Sequence, residues 1–278
     1  MKILSLDVGG TNIRSAIVNG TKLVDYQKVP TPKKKKEIIK LIFQIIEGYG
    51  KVDAICVSTA GFERDGKIVN SPNNDLEGAP LSRLLKKRFF KTKVFVENDA
   101  KCATLAELHY GAGRGKRNFI LLTLGSGIGG GAVINRKLYK GEGGAPEPGS
   151  GMIIDNEELF EHLASGNASV RLAREEGLNI NSFELEELAN KGNKQARAIY
   201  DKVGYYLGLG ISNLVYLFDP QVVVIGGGFS RVKHIYPNMR KTFKRFYRLN
   251  PKPEIVKAKF GDDAGLIGAA LLVKENGR

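Results

Sequence analysis

Two short segments hold the residue types that phosphate chemistry uses. Asp7-Val8-Gly9-Gly10-Thr11 puts an acid, two glycines and a hydroxyl donor in a row, with Asn12 and Arg14 just beyond. Glycine lets backbone N–H groups approach a phosphate oxygen closely, and the threonine hydroxyl adds a donor. Asp7 could hold Mg2+ through water, because that ion takes one or two carboxylates alongside phosphate oxygens. The same residues would also serve as a plain tight turn. The second segment, Gly125-Ser126-Gly127-Ile128-Gly129-Gly130-Gly131, repeats the pattern and tips the reading toward a phosphate cradle. Neither is a Walker loop, since no Gly-Lys-Ser/Thr follows. The second leads into a hairpin pattern rather than the helix of a dinucleotide fingerprint.

Glu97-Asn98-Asp99-Ala100 joins a strand pattern to a helix pattern. Asp99 has two readings there. It could cap the helix, as Asx residues do. Alternatively it is an acid at the C-terminal end of a parallel strand, where it could accept the proton of an attacking hydroxyl. Glu147 lies in a Pro/Gly-rich loop, 143–150, and Glu161 in a helical pattern. Taken singly, each reads as a solvated surface acid. His109, His162 and His234 have no spacing that suggests a metal site or a catalytic triad. Cys56 and Cys102 are too far apart for a CxxC site and read as small buried hydrophobes.

The elements that must position these residues show in the hydrophobic pattern. Ile3–Val8, Ile13–Val18 and Leu23–Val29 read as strands, with Asn19-Gly20 a hairpin turn between the last two. Glu37–Tyr49 reads as an amphipathic helix, and Asp53–Ser58, Leu81–Phe90, Val94–Glu97 and Ala100–Tyr110 alternate strand and helix. That alternation argues for a parallel extension of the opening meander. Leu122–Asn135 then aligns without a gap on Leu6–Asn19, which suggests a duplicated meander. A long apolar helix, Ala196–Phe218, contains Gly204, Gly208 and Gly210 for close packing. A strand at Val222–Ile225 runs into Gly226-Gly227-Gly228, and a helix at Ala264–Lys274 comes last.

The chain has 278 residues, and 43 Lys+Arg against 29 Asp+Glu give a net charge of +14. Basic runs fall at 33–36, 86–93 and 241–248, without zinc-finger spacing or an RNA-binding aromatic motif. They read as solvated faces suited to anionic ligands such as nucleotides, with no nucleic-acid partner expected. No apolar run approaches the ~20 residues a membrane span needs. The opening MKILSLDVGG reaches an acid and two glycines too soon for a signal peptide, so the cytoplasm is the expected compartment.

Together these segments resemble the sugar kinases of the ROK family, within the actin-like ATPase superfamily. DVGGTNIR at 7–14 and LGSGIGGG at 124–131 look like the family's two phosphate motifs. SPNNDLEGAPL at 71–81 resembles its sugar-side loop, and ENDA at 97–100 its catalytic segment. EHLASG at 161–166, DPQVVVIGGG at 219–228 and GDDAGLIGAA at 261–270 complete the match. The resemblance implies an α/β, two-domain actin-like (ribonuclease H-like) fold, with duplicated β-meander plus βα units around an interdomain cleft. The domains would be 1–113, completed by the C-terminal helix 264–278, and 114–263.

It further implies ATP-dependent phosphorylation of a hexose at its 6-hydroxyl, glucose first, with Asp99 as general base. Gly61, Asn73, Asn98, Glu147 and Glu161 would bind sugar. Asp7, Gly9, Gly10, Thr11, Asn12 and Arg14 would meet the transferring phosphate, Gly125, Ser126, Gly127 and Gly129 the other phosphates, and Gly226, Gly227 and Gly228 the adenosine. ATP and Mg2+ are implied, and the family admits a homodimer. An N-acetylated amino-sugar kinase, a fructokinase and a sugar-binding pseudokinase are the alternatives. Many relatives follow Glu-x-Gly with His and then a zinc-binding cysteine cluster. Here Ser150 and the acidic stretch 152–158 stand instead, so no zinc site is expected. Leu76 replaces an aromatic of the sugar-side loop, and with Ser150 it suggests a looser pocket.

Overall fold

A computed structural model describes residues 1–64, 67–71, 74–142 and 144–276 of the chain. The chain forms two compact units. One comprises Met1–Arg114, Leu138–Ala145 and the segment from Asp262 onward; the other comprises Gly115–Lys137 and Pro146–Gly261. The sequence reading assigned 138–145 to the second domain, whereas these residues group with the first unit.

In the first unit, β1 (Ile3–Val8), β2 (Asn12–Asn19) and β3 (Lys22–Pro30) make the expected meander. Helix α1 (Lys35–Gly48) buries Ile38, Ile42, Ile45 and Ile46, the i, i+4, i+7, i+8 stripe of an amphipathic helix. β4 (Ala54–Thr59) is buried at every position, as a central parallel strand requires. The hairpin β5 (Phe62–Arg64) and β6 (Lys67–Val69) follows. Helix α2 (Leu81–Arg88), strand β7 (Lys93–Asn98) and helix α3 (Asp99–Tyr110) then complete the βα extension. The sheet order is β3-β2-β1-β4-β7, antiparallel across the meander and parallel from β1 to β7.

The second unit repeats this plan. β8 (Phe119–Leu124), β9 (Ile128–Ile134) and β10 (Lys137–Tyr139) form its meander. The short helix α4 (Pro148–Gly151), the hairpin β11 (Ile153–Asp155) and β12 (Glu158–Leu159), and helix α5 (Phe160–Ala164) follow. Helices α6 (Gly166–Glu175), α7 (Ser182–Asn190) and α8 (Lys194–Phe218) lead to β13 (Val222–Gly226), α9 (Tyr236–Phe246) and β14 (Glu254–Lys257). The sheet order β10-β9-β8-β13-β14 matches the first, again antiparallel then parallel. The glycines of α8 do allow close packing. A Cβ at Gly208 would sit 2.6 Å from the Met239 carbonyl oxygen of α9, and one at Gly210 would enter the Phe160 ring. The last helix, α10 (Ala264–Glu275), belongs to the first unit.

The duplication is real, but its ungapped alignment is wrong by one residue across the turn. β1 and β2 close on the pair Val8–Ile13, leaving four residues in the turn, whereas β8 and β9 close on Leu124–Ile128, leaving three. A one-residue slip exchanges the faces of a strand. The shorter second turn therefore needs a gap that glycine-rich sequence conceals. The run 241–248 is largely the solvated side of α9, whose Met239, Thr242 and Phe243 are buried.

Candidate active site

Asp7 ends β1 within a network of the first unit. The Ser58 hydroxyl of β4 donates to its Oδ1 at 2.9 Å, and Arg14 Nη1 of β2 lies 3.5 Å from its Oδ2. Arg14 also donates to the Asp262 carbonyl at 2.8 Å. At the start of α10, a Cβ on Gly265 would stand 2.7 Å from Asp7 Oδ1, so only glycine lets the first helical turn close on the carboxylate. Burial pushes Asp7 up from the ordinary carboxylate range, while Ser58 and then Arg14 oppose the shift. In the turn that follows, the Gly9 N–H donates to the Asn12 carbonyl, and Gly10 and Thr11 are exposed. The Thr31 hydroxyl holds the Gly9 carbonyl at 2.8 Å.

Asn98, not Asp99, caps α3. Its Oδ1 accepts from the Lys101 N–H at 3.1 Å, and its Nδ2 donates to the Gly61 carbonyl at 3.0 Å. The capping reading of Asp99 is thereby replaced: Asp99 is the first helical residue, and its Oδ1 accepts from the Ala100 N–H at 2.8 Å. Asp99 is accessible at its surface, yet the protein around it pushes its carboxyl up to about 6, burial first and the charge of Asp7 second. Glu97 braces the same junction. One carboxylate oxygen accepts from the Asn98 N–H at 3.0 Å, and the other pairs with Lys140 Nζ at 2.7 Å.

Asn98 and Gly61 thus bond to each other. Asn98 is buried, and the left-handed φ of 79° at Gly61 suits glycine. Asn73 lies outside the described residues. Its neighbour Asn74, which sequence reasoning passed over, accepts from Ser71 Oγ at 2.9 Å and donates to the Val8 carbonyl at 3.2 Å, tying the 71–81 loop to the end of β1. Ser58 was also missed. Its signal was a hydroxyl near the end of the apolar run Ala54–Val57, beside the acid of β1. Leu76 is fully buried in the first unit's core, so it is a packing residue rather than a pocket wall.

In the second unit, the Gly125–Gly127 turn is held by the start of α6. The Gly166 N–H donates to the Gly125 carbonyl at 2.9 Å, and the Asn167 N–H to the Ser126 carbonyl at 3.2 Å. A cavity of about 470 Å3 opens beside this turn, with Gly125, Ser126 and Gly228 among its lining residues. Gly127, Gly129, Gly226 and Gly227 do not line it. Gly227, with φ of 83°, keeps the end of β13 against the Leu124 backbone, where a Cβ would collide. Glu161 on α5 points at Gly127 and accepts from the Ile128 N–H at 3.4 Å. Glu147 immediately precedes α4, and α4 and α5 both pack on β9, which brings Glu147 and Glu161 to one strand. Ser150 is exposed on α4. Where relatives carry cysteines, Met152 and Ile154 pack on the unit's core and Asp155 accepts from the Tyr206 hydroxyl at 3.0 Å. Among the described residues no three His, Cys, Asp or Glu side chains converge as a metal cluster, and no helix is long and apolar enough to cross a membrane.

Comparison with known proteins shows the family and the fold. The sequence model of the ROK family matches residues 3–276. A glucokinase of Streptomyces coelicolor is 30% identical over 309 aligned positions, spanning 98% of this chain and 97% of that protein. An N-acetylmannosamine kinase of Haemophilus influenzae is 29% identical, over 99% of this chain and 96% of its own. The crystal structure of a ROK glucokinase from Streptomyces griseus, in complex with glucose and AMPPNP, superposes with a TM-score of 0.85. It is 29% identical and covers 99% of this chain and 100% of that one.

Proposed function

The chain belongs to the ROK family and is a sugar kinase, a phosphotransferase of the actin-like ATPase class; from that premise we propose that it phosphorylates the 6-hydroxyl of a hexose, glucose first, with ATP. The observation that carries the reading is Asp99: at the first position of α3, not used as its cap, and raised to about 6. A carboxylate poised just below neutrality is mostly ionised at pH 7 and still basic enough to take a proton in the transition state. The Asn98 cap and the Glu97–Lys140 pair hold the strand–helix junction that aims it.

The donor groups fit MgATP. The Asp7 carboxylate is 16% exposed, close enough to raise Asp99, and two acids so placed gain from a cation beside them. Asp7 would hold Mg2+ through water, and the ion would neutralise charge on the phosphate oxygens. The exposed Gly10–Thr11 backbone and Arg14 would meet the transferred group. Gly125 and Ser126 at the cavity mouth would meet the remaining phosphates. Glu147 and Glu161, with Asn73, would take sugar hydroxyls. Ser150 is shorter than histidine and would leave room near the anomeric end, which supports broad acceptance of plain hexoses.

That room also supports a second reading, an acetamido-sugar kinase, in line with the Haemophilus relative. A coupled assay of ADP release with MgATP separates the two. We expect turnover on glucose and on mannose or fructose as well. Turnover confined to N-acetylglucosamine or N-acetylmannosamine would move the function to the second reading, and turnover on none of them would overturn both.

A further inference from the structure

The cavity beside the Gly125–Gly127 turn has both polar and aromatic residues in its lining. Gly125, Ser126 and Asn167 belong to the turn and to the start of α6 that holds it, and Phe183 lies on the first turn of α7. The Phe183 side chain is left 69% exposed. An aromatic face left open beside a cavity suits a flat partner. Glu186, three residues on and so on the same face of α7, also lines the cavity. Among the described residues it makes no hydrogen bond or ion pair. Burial pushes the Tyr200 phenol up, and the charge of Glu186 adds to that shift. The Tyr200 hydroxyl nevertheless has no hydrogen-bond partner, so it does not occupy the carboxylate.

We propose that Phe183 and Glu186 read the base of the phosphoryl donor and make this enzyme selective for adenine nucleotides, an inference that rests on the kinase reading above. Phe183 stacks on the purine. Glu186, which as a carboxylate only accepts, takes a hydrogen bond from the exocyclic amine of adenine. Guanine presents a carbonyl oxygen at that position, so two acceptors would face each other. Inorganic polyphosphate offers neither a flat face nor a donor, and its charge is repelled by the carboxylate.

Calorimetric titration with ADP, GDP and tripolyphosphate tests this on the full chain, with turnover assayed alongside. Wild type should bind ADP at least about tenfold more tightly than GDP or tripolyphosphate. Glu186→Gln should narrow the ADP/GDP ratio by about tenfold, because the amide can rotate to donate to the guanine oxygen. Phe183→Ala should weaken both nucleotides roughly 5- to 150-fold, with Phe183→Tyr restoring them. Both positions are solvent-accessible, so the variants should melt with wild type. Equal binding of ADP and GDP, an unchanged ratio in Glu186→Gln, or tripolyphosphate binding as tightly as ADP would each overturn the base-reading pair. Tight, selective ADP binding without hexose turnover would instead overturn the hexose as substrate and leave the base-reading pair standing.

Discussion

Asp99→Asn should lower kcat by roughly 10²–10⁴ while leaving glucose affinity within a few-fold of wild type. The amide keeps the shape and can still accept the Ala100 N–H that the carboxylate accepts now. It cannot take the proton of the 6-hydroxyl. The variant should also remain folded, and the sign of the pKa shift says so. A carboxyl whose pKa is raised in the folded state favours its neutral form there. Its ionisation therefore costs stability as pH rises from the ordinary carboxylate range through about 6. Asparagine removes that cost, so at pH 8 the variant should melt no earlier than wild type. Steady-state kinetics, calorimetry with glucose and a thermal melt check the three parts. Near-normal kcat in a folded variant would remove Asp99 from the role.

Gly268→Val should be the most damaging single change away from the reacting groups. α10 lies against α3, and a Cβ at Gly268 would collide with the Cys102 carbonyl oxygen. That oxygen is backbone and cannot swing aside, so the two helices must separate. Overpacking of a tight core contact typically costs 1–3 kcal/mol, and a branched side chain against backbone belongs at or above the top of that range. We expect a loss of about 3 kcal/mol or more. Because α3 begins at Asp99, surviving protein should also show reduced kcat. Gly48→Ala, at the end of α1 where a Cβ meets nothing within 4 Å, is the control and should melt like wild type.

The sequence made the duplicated plan visible because its carriers are local: alternating meander strands, Asn19-Gly20, and strand–helix alternation up to Tyr110. The hairpins β5–β6 and β11–β12, each of two or three residues per strand, are too short for periodicity to register. Helix α9 was hidden by its own charge, since Arg240, Lys241, Lys244 and Arg245 interrupt the apolar residues that anchor it. Strand β14 follows the proline-rich stretch 251–253 and has only four residues.

The candidate site shows in the sequence through its acids and glycine turns, and much less through the residues that support them. The choice between Asn98 and Asp99 as cap depends on where the first helical turn begins, which residue types alone do not fix. Ser58 and Asn74 act across 51 and 66 residues of sequence, on Asp7 and on Val8. Only the parallel pairing of β1 with β4, and the return of the 71–81 loop, bring them there. Leu76 misled because loop residues are presumed exposed, whereas this one fills the core.

The pH dependence of kcat/KM for glucose in the wild-type enzyme tests the role of Asp99 most directly. A base must be ionised to act, so the account predicts a plateau above an acid limb at about pH 6, falling tenfold per pH unit below it. An acid limb near pH 4, or a profile flat from pH 5 to 8, would contradict it.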